Sequence, residues 1–351
     1  MVDFAGWSMP VQYTSIVAEH TATRTAMSLF DVSHMGRLRL DGPGAAAFLE
    51  SLLTRHVAEM AVGRIRYSLV TRDDGGILDD VLVYRLADAA GEPCWWMVVN
   101  AGNREKIVAW LRSRLGNSAG VELSDQTPAT AMIAVQGPRA IDVLTPLMGC
   151  ELAAMKYYTG CEAEIVSHQG LVSRTGYTGE DGAELIVPAA AAEHVWTTIL
   201  AAGEPHGAMA AGLGCRDTLR LEAAMPLYGH ELSERINPIQ AGLGFAVDLE
   251  GRTFPGRDAI AGFQDDPRQL KRIGLELSGK RSPREHYAIL DDGRPVGEVT
   301  SGTHSPTLQK PIAMGYVAPQ HADVGRELSV DVRGRSEPAR VVKLPFYRRG
   351  K

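Results

Sequence analysis

The chain has 351 residues, 45% hydrophobic and 22% charged, which is ample for two or three packed domains of a soluble protein. Its 36 basic and 42 acidic residues are interspersed and leave a net charge of −6, so there is no basic footprint for nucleic acid. No apolar run is long enough to span a membrane, and the opening MVDFAGWSMP lacks the charged start and apolar stretch of a secretory signal.

In chain order, a helix is predicted over 16–28, followed by FDVSHMG. RLRLDG (37–42) alternates like a strand, and 44–53 is helical. RYSLVTRDDGGILDDVLVYRL reads as two strands joined by a turn at Asp73-Asp74-Gly75-Gly76. CWWMVVN (94–100) is a further strand. NREKIVAWLRSRL (103–115) is a helix with Asn103 in capping position, and VELSD closes the set. This order predicts a split βαβ, ferredoxin-like unit over roughly 37–132. AMIAVQGP then precedes a helix over 139–147. EAEIVSHQGLVSRTGYTGEDGAELIVP gives strands broken by Gly-rich turns, and helices follow over 191–202 and 215–225. From about residue 237 the texture changes to short alternating strands: GLGFAVDL, KRIGLELSG, AILDDGRPVGEVT, AMGYVA, ELSVDVRG and ARVVKLPFY. That pattern predicts a small antiparallel barrel or jelly roll.

One tetrapeptide occurs twice. ILDD at 289–292 runs directly into Gly293 and reads as a strand ending in an Asp-Gly turn. ILDD at 77–80 has its glycines before it and VLVY after it, so its acids lie inside a strand. By strict alternation Asp79 shares a face with Ile77, Val81 and Val83, and Asp80 with Leu78, Leu82 and Tyr84. Neither face is a water face, and an unpaired buried carboxylate is costly. The bland reading is that arginines or backbone donors satisfy both acids.

Many chemistries lack their signature. There is no strand-linked G-x-G-x-x-G for a nicotinamide or flavin, no Walker loop, no G-x-S-x-G and no H-E-x-x-H. The ten histidines show no metal-ligand spacing, and His34 reads as a packed turn residue. Cys94, Cys150, Cys161 and Cys215 form no C-x-x-C pair, which argues against zinc or a disulfide frame and suits a reducing cytoplasm. Four clusters remain. Asp79/Asp80 stand with Tyr67 on the partner strand. SRTGYTGEDGAEL offers Gly176, Gly179 and Gly182 as a backbone-accessible turn, with Tyr177 and Glu184 suited to a flat heterocycle bearing N–H donors, or is an ordinary hairpin loop. AGLGCRDTLRLEAAMPLYGHEL carries Arg216, Arg220 and Glu222 on a helix, where an arginine would hold a carboxylate or simply pair with its neighbours. PFYRR either closes a ligand mouth or is a solvated tail.

Taken together these stretches resemble the aminomethyltransferase (T protein) family of the glycine cleavage system. The likeness rests on MVDFAGWSMPVQYTSI, FDVSHMG, YSLVTRDDGGILDDVLVY, VVNAGNREK, AVQGP, SRTGYTGEDGAEL, AGLGCRDTLRLEA, LYGHE, LELSGKR, GEVTSGTHSPTL and PFYR, which span nearly the whole chain. Family members carry a short segment before the stretch matching MVDFAGW. Here the chain begins at it, which would loosen the edge of the first domain.

The resemblance implies an α+β fold of three domains in a clover around a folate channel. They are a discontinuous folate-binding domain (1–36 with 133–232), the ferredoxin-like domain (37–132) and the C-terminal barrel (237–351). It implies transfer of the methylene of an aminomethyl group, carried on the lipoyl arm of the H protein, to tetrahydrofolate, with ammonia released, in the cytoplasm. Tetrahydrofolate would be a substrate, and neither metal, nicotinamide nor flavin is expected. Membrane and nucleic acid are not expected as partners. By its place in GGILDD, Asp80 corresponds to the family's essential acid, and Asp79 is expected to be structural. The same resemblance implies that Glu184 binds pterin N–H groups and that Tyr177, Tyr67, Met35, Tyr84 and Asn100 line the folate pocket. Arg216 would sit at its rim, near the lipoyl opening or folate tail, and Arg348 would meet a folate carboxylate. Two competing readings share the scaffold: a folate-dependent demethylase of a small methylated compound, and a non-catalytic folate-binding accessory protein. The latter's cysteine motif is replaced here by MPLYGHE.

Overall fold

The computed structural model describes residues 1–87, 91–116 and 120–350, and three sheets organise them. A short hairpin, β1 (Val2–Phe4) and β2 (Trp7–Met9), turns at Ala5 and Gly6, both at positive φ. Helix α1 (Ile16–Thr25) starts at Ser15, whose side chain accepts the Ala18 N–H at 3.1 Å. It ends short of the predicted residue 28, because Met27 already belongs to β3 (Met27–Asp31), a buried strand in the middle of the first sheet.

That sheet has the order β10 (Gly160–Ile165), β11 (His168–Ser173), β12 (Gly182–Pro188), β9 (Thr130–Gln136), β3 and β13 (Ala208–Ala210). Its two faces follow the two-residue period of a strand. Leu29, Ile133 and Val135 point to α4 (Ala140–Leu144) and α5 (Ala192–Gly203). Phe30, Met132 and Ala134 point the other way, to Leu219 of α6 (Leu213–Glu222) and to Tyr84, Trp96 and Val98 of the second sheet. The helix predicted over 139–147 is α4 followed by one 3-10 turn, Thr145–Leu147, which contains Pro146.

The second sheet runs β5 (Arg64–Thr71), β6 (Ile77–Ala87), β7 (Pro93–Val99), β4 (Gly36–Asp41) and β8 (Glu122–Asp125), all antiparallel. Helix α2 (Ala45–Glu50) follows β4, and α3 (Arg104–Leu115) joins β7 to β8. The order β8-β4-β7-β6 is the predicted split βαβ, with β5 added at the edge. Leu38, Val81, Val83, Met97 and Val99 pack on Ile107 and Leu111 of α3.

The third unit is a closed barrel, β14 (Lys271–Leu277), β17 (Lys310–Val317), β16 (Arg294–Ser305), β15 (Ala288–Asp291), β18 (Glu327–Asp331) and β19 (Ser336–Val342), which selects the barrel over the jelly roll. Helix α7 (Arg257–Phe263) precedes it. GLGFAVDL, predicted as a strand, is instead a loop with a 3-10 turn at Gly244–Ala246. Gly242 at φ 69° breaks its extension, and Ala241, Leu243 and Ala246 pack onto Leu69 and Ile77. We propose a three-unit division close to that read from the sequence, with the first sheet regained at Thr130 rather than at 133, where β9 begins.

Candidate active site

The site is built on β6. The ladder pairs Val70 with Asp79 but Thr71 with Ile77, so Leu78 is an extra residue and the strand bulges there. The bulge changes the parity expected by simple alternation. Leu78 joins Val81 and Val83 in the core beneath the second sheet, and Ile77 turns to Leu69 on the other side. From Asp79 onward the predicted alternation holds. Asp79 pairs with Val70 on the α3 side, and Asp80 lies opposite Leu69 on the side that holds Tyr67 and Leu82.

Neutral donors satisfy both acids. Asp79 is fully buried and accepts the Asn100 backbone N–H (3.0 Å), the Asn100 amide (2.8 Å) and the Asn103 amide (2.6 Å). Asn103 was expected to cap α3; its side chain caps nothing and is spent on Asp79. Asp80 accepts the Tyr67 hydroxyl on one oxygen (3.0 Å) and the Asn100 amide on the other (2.7 Å). Among the described residues neither carboxylate forms an ion pair, so the arginine reading of this cluster falls. Burial and the mutual repulsion of the pair push the carboxyls above the ordinary range, while the hydrogen-bond donors oppose the shift.

Asp80 opens into a cavity of about 670 Å³ where all three units meet. Tyr67, Asn100, Met35, Tyr177, Glu184 and Arg216 line the same cavity. Glu184, on β12, is buried and accepts the Thr175 hydroxyl; burial raises its carboxyl, against Thr175 and the Arg216 charge. Arg216, on α6, lies 4.7 Å over the Tyr177 ring, and the Tyr177 hydroxyl donates to the Pro226 carbonyl (2.6 Å). An aromatic face, a buried carboxylate and a guanidinium thus converge from one side, and Asp80 with Tyr67 from the other.

Two glycines of TGYTGEDG have a packing task besides the one expected. A Cβ on Gly176 would lie 2.0 Å from the Gln136 amide oxygen, and one on Gly182 2.2 Å from the Val135 carbonyl. Close packing onto β9 demands both, Gly176 also lines the cavity, and Gly179 turns the chain at φ 82°. His34 is the packed residue expected, edge-on to Phe4 at 5.2 Å. Burial and the charges of Arg216 and Arg37 lower its pKa to about 3, so it is neutral beside the cavity.

Two predicted residues lie outside. Tyr84 is buried in the core between the first two sheets and does not line the cavity. Arg348 is exposed on the surface, away from it. Its neighbour Tyr347 docks elsewhere: its hydroxyl donates to Glu180 (2.7 Å) and its ring lies 3.9 Å under Arg24. The PFYRR tail therefore neither frays nor closes the mouth. Sequence reasoning missed Arg272, Phe245, Tyr158 and Tyr228, all lining the cavity. Arg272 donates to the Ala224 carbonyl (3.3 Å), and Phe245 stacks on Tyr67 at 6.1 Å with 65% of its surface exposed. Arg272 sits in an ordinary strand pattern, and Phe245 in a stretch read as a strand, so neither carried a local signal.

Residues 1–251 match the GCVT N-terminal domain family, and residues 270–348 the glycine cleavage T-protein C-terminal barrel domain. The chain is 48% identical over 353 residues to the aminomethyltransferase of Moorella thermoacetica, covering 100% of this chain and 94% of that protein. It is 46% identical over 349 residues to that of Saccharopolyspora erythraea, covering 99% and 94%. Its structure is similar, with a TM-score of 0.91 and 33% identity, to the crystal structure of glycine cleavage system aminomethyltransferase T from Bartonella henselae, covering 99% of this chain and 93% of that one. With both family models matched and relatives aligned over nearly the whole chain, the chain belongs to the glycine cleavage T-protein family.

Proposed function

We propose that the chain is the aminomethyltransferase of a glycine cleavage system, using tetrahydrofolate as acceptor and the lipoylated H protein as donor. The observation that supports this reading best is Asp80: a half-buried carboxylate, held by two neutral donors, facing a cavity with no cation paired to it among the described residues. The substrate carries S–CH2–NH3+. As ammonia leaves, the carbon becomes cationic, and a fixed carboxylate in a dry site stabilises that charge. Bonding the carbon to two folate nitrogens releases two protons. One goes to the lipoyl sulfur and one to ammonia, and Asp80 is the group placed to relay them. Holding the carbon and the folate nitrogen together supplies the proximity term.

Tetrahydrofolate fits the residues present. Glu184 offers a carboxylate to pterin N–H groups, Tyr177 a flat face, and Arg216 and Arg272 two cations for the acidic tail. Met35, Tyr67 and Asn100 complete the walls. The setting we propose is the cytoplasm, where Cys150, Cys161 and Cys215, all free thiols, would stay reduced. No described helix is long and apolar enough to cross a membrane.

The test mixes the protein with aminomethyl-loaded lipoyl H protein and tetrahydrofolate and follows ammonia and 5,10-methylenetetrahydrofolate. Both products are expected. If neither forms while tetrahydrofolate still binds, the demethylase or accessory reading takes its place.

A further inference from the structure

Asp79 was expected to be structural, and its surroundings carry more than that. Asn100 gives one amide N–H to Asp79 and one to Asp80, at 2.8 and 2.7 Å, so a single side chain couples the two carboxylates. The two acids differ in what they can hold. Both Asp79 oxygens already face N–H donors: Oδ1 meets the two asparagine amides and Oδ2 the Asn100 backbone. Three N–H donors on Asp79 favour its ionised form. Asp80 is different. Its Oδ2 faces the Tyr67 hydroxyl, which accepts as readily as it donates.

The first proton taken up by the pair therefore belongs on Asp80, and Asp79 stays an anion beside it. The other groups facing the pair carry no full charge at neutral pH. Tyr67, Tyr158 and Tyr177 surround Asp80, and Tyr228 stands near Asp79 with its hydroxyl held by Lys106 at 3.0 Å. Lys106 is the nearest cation in this set, and it reaches Asp79 only through Tyr228 and shares itself with Glu234 at 3.2 Å.

We propose that Asp79 is a positioning residue for the reaction: a permanent buried anion that, with the shared amide of Asn100, keeps Asp80 a strong proton acceptor. This rests on the reading of Asp80 as the reacting acid. Two negative charges a few ångströms apart are expected to hold the affinity for that first proton up by roughly one to two pH units. The charge of Asp79 is thus spent on Asp80, and the donors of Asn100 and Asn103 keep it in place.

The test uses the full chain and two readouts. One is the pH dependence of kcat/KM with loaded H protein and tetrahydrofolate. The other is infrared titration, without substrates, of the carboxyl signal that Asp80→Asn abolishes. In Asp79→Asn both the acid limb and the infrared midpoint should move down by roughly one to two pH units. Asn103→Ala removes one donor from Asp79 and lets it share the first proton, so both should move the same way by less. If Asp79→Asn does not fold, Asn103→Ala decides in the same titration. A lower Tm and kcat with both midpoints unmoved would make Asp79 a packing residue and overturn the proposal, as would an upward shift. A wild type without transfer activity would sink the functional reading alone, since the infrared midpoints still answer for Asp79.

Discussion

The tetrapeptide ILDD occurs at 77–80 and at 289–292, and the two copies share no chemistry. In the second, β15 ends at Asp291, Asp292 takes φ 47°, Gly293 φ 77°, and the chain turns back into β16. Asp291 meets Arg326 and His321, and the Arg326 hydrogen bond holds its carboxyl below the ordinary range. In the first copy the acids are inside a strand, Asp79 buried and Asp80 half-buried, with amides and a hydroxyl for partners, and their carboxyls rise. Position relative to glycine decides whether the acids enter the sheet. The charge of the partners then decides whether a carboxylate is neutralised or kept as a base.

Five variants break or sharpen that contrast. The largest effect is expected from Asp80→Asn, which keeps the shape and removes the charge. kcat should fall on the order of a hundredfold or more, with Tm near wild type. A variant that keeps most of its rate would reduce the first ILDD to structure like the second. Next is Arg272→Ala, which tests a cation lining the cavity into which Asp80 opens. The KM for tetrahydrofolate should rise about tenfold or more, as for loss of a charged hydrogen bond, while Arg348→Ala should leave it unchanged. The reverse result would bring the C-terminal tail back to the site.

Tyr67→Phe is smaller. It removes a donor to ionised Asp80, so the proton is held more tightly. Activity requires the carboxylate and is lost as pH falls through the raised value of Asp80. The acid limb of wild type should therefore lie above the ordinary carboxylate range, and Tyr67→Phe should move it up by about one pH unit. A downward shift would contradict the donor role. Smallest is Asp291→Asn in the second copy. kcat/KM should be unchanged, and the thermal midpoint should fall only modestly, because a half-buried surface pair contributes little. A loss of activity there would mean that the barrel's hairpin reaches the site.

Much of this was legible beforehand. Alternation in KRIGLEL and ELSVD and the ILDD-Gly turn foretold the barrel strands, and the order of elements foretold the split βαβ sheet. The errors have local causes. Met27 and Ser28 read as the tail of a helix because nothing in 16–28 shows that β3 is needed in the middle of a sheet. GLGFAVDL has a strand's apolar content, yet Gly242 at positive φ bends it. The bulge at Leu78 exchanged the faces of two residues, since alternation has no memory of an inserted one. Asn103 looked like a cap because helix starts attract asparagine, and a buried carboxylate outbid the helix for it.

The sequence by itself determined most of the elements, the antiparallel β texture of the last unit and the family, because period, turn chemistry and motif are properties of neighbours along the chain. Only the tertiary structure decided which cations face the cavity, Arg216 and Arg272 rather than Arg348, and that Tyr84 belongs to the core. It also decided that one asparagine serves two aspartates. The physical reason is that a buried polar group takes whatever partner the packing brings to it. Here Asp79 and Asp80 find theirs some 20 residues away, and the cavity draws its walls from three separate sheets.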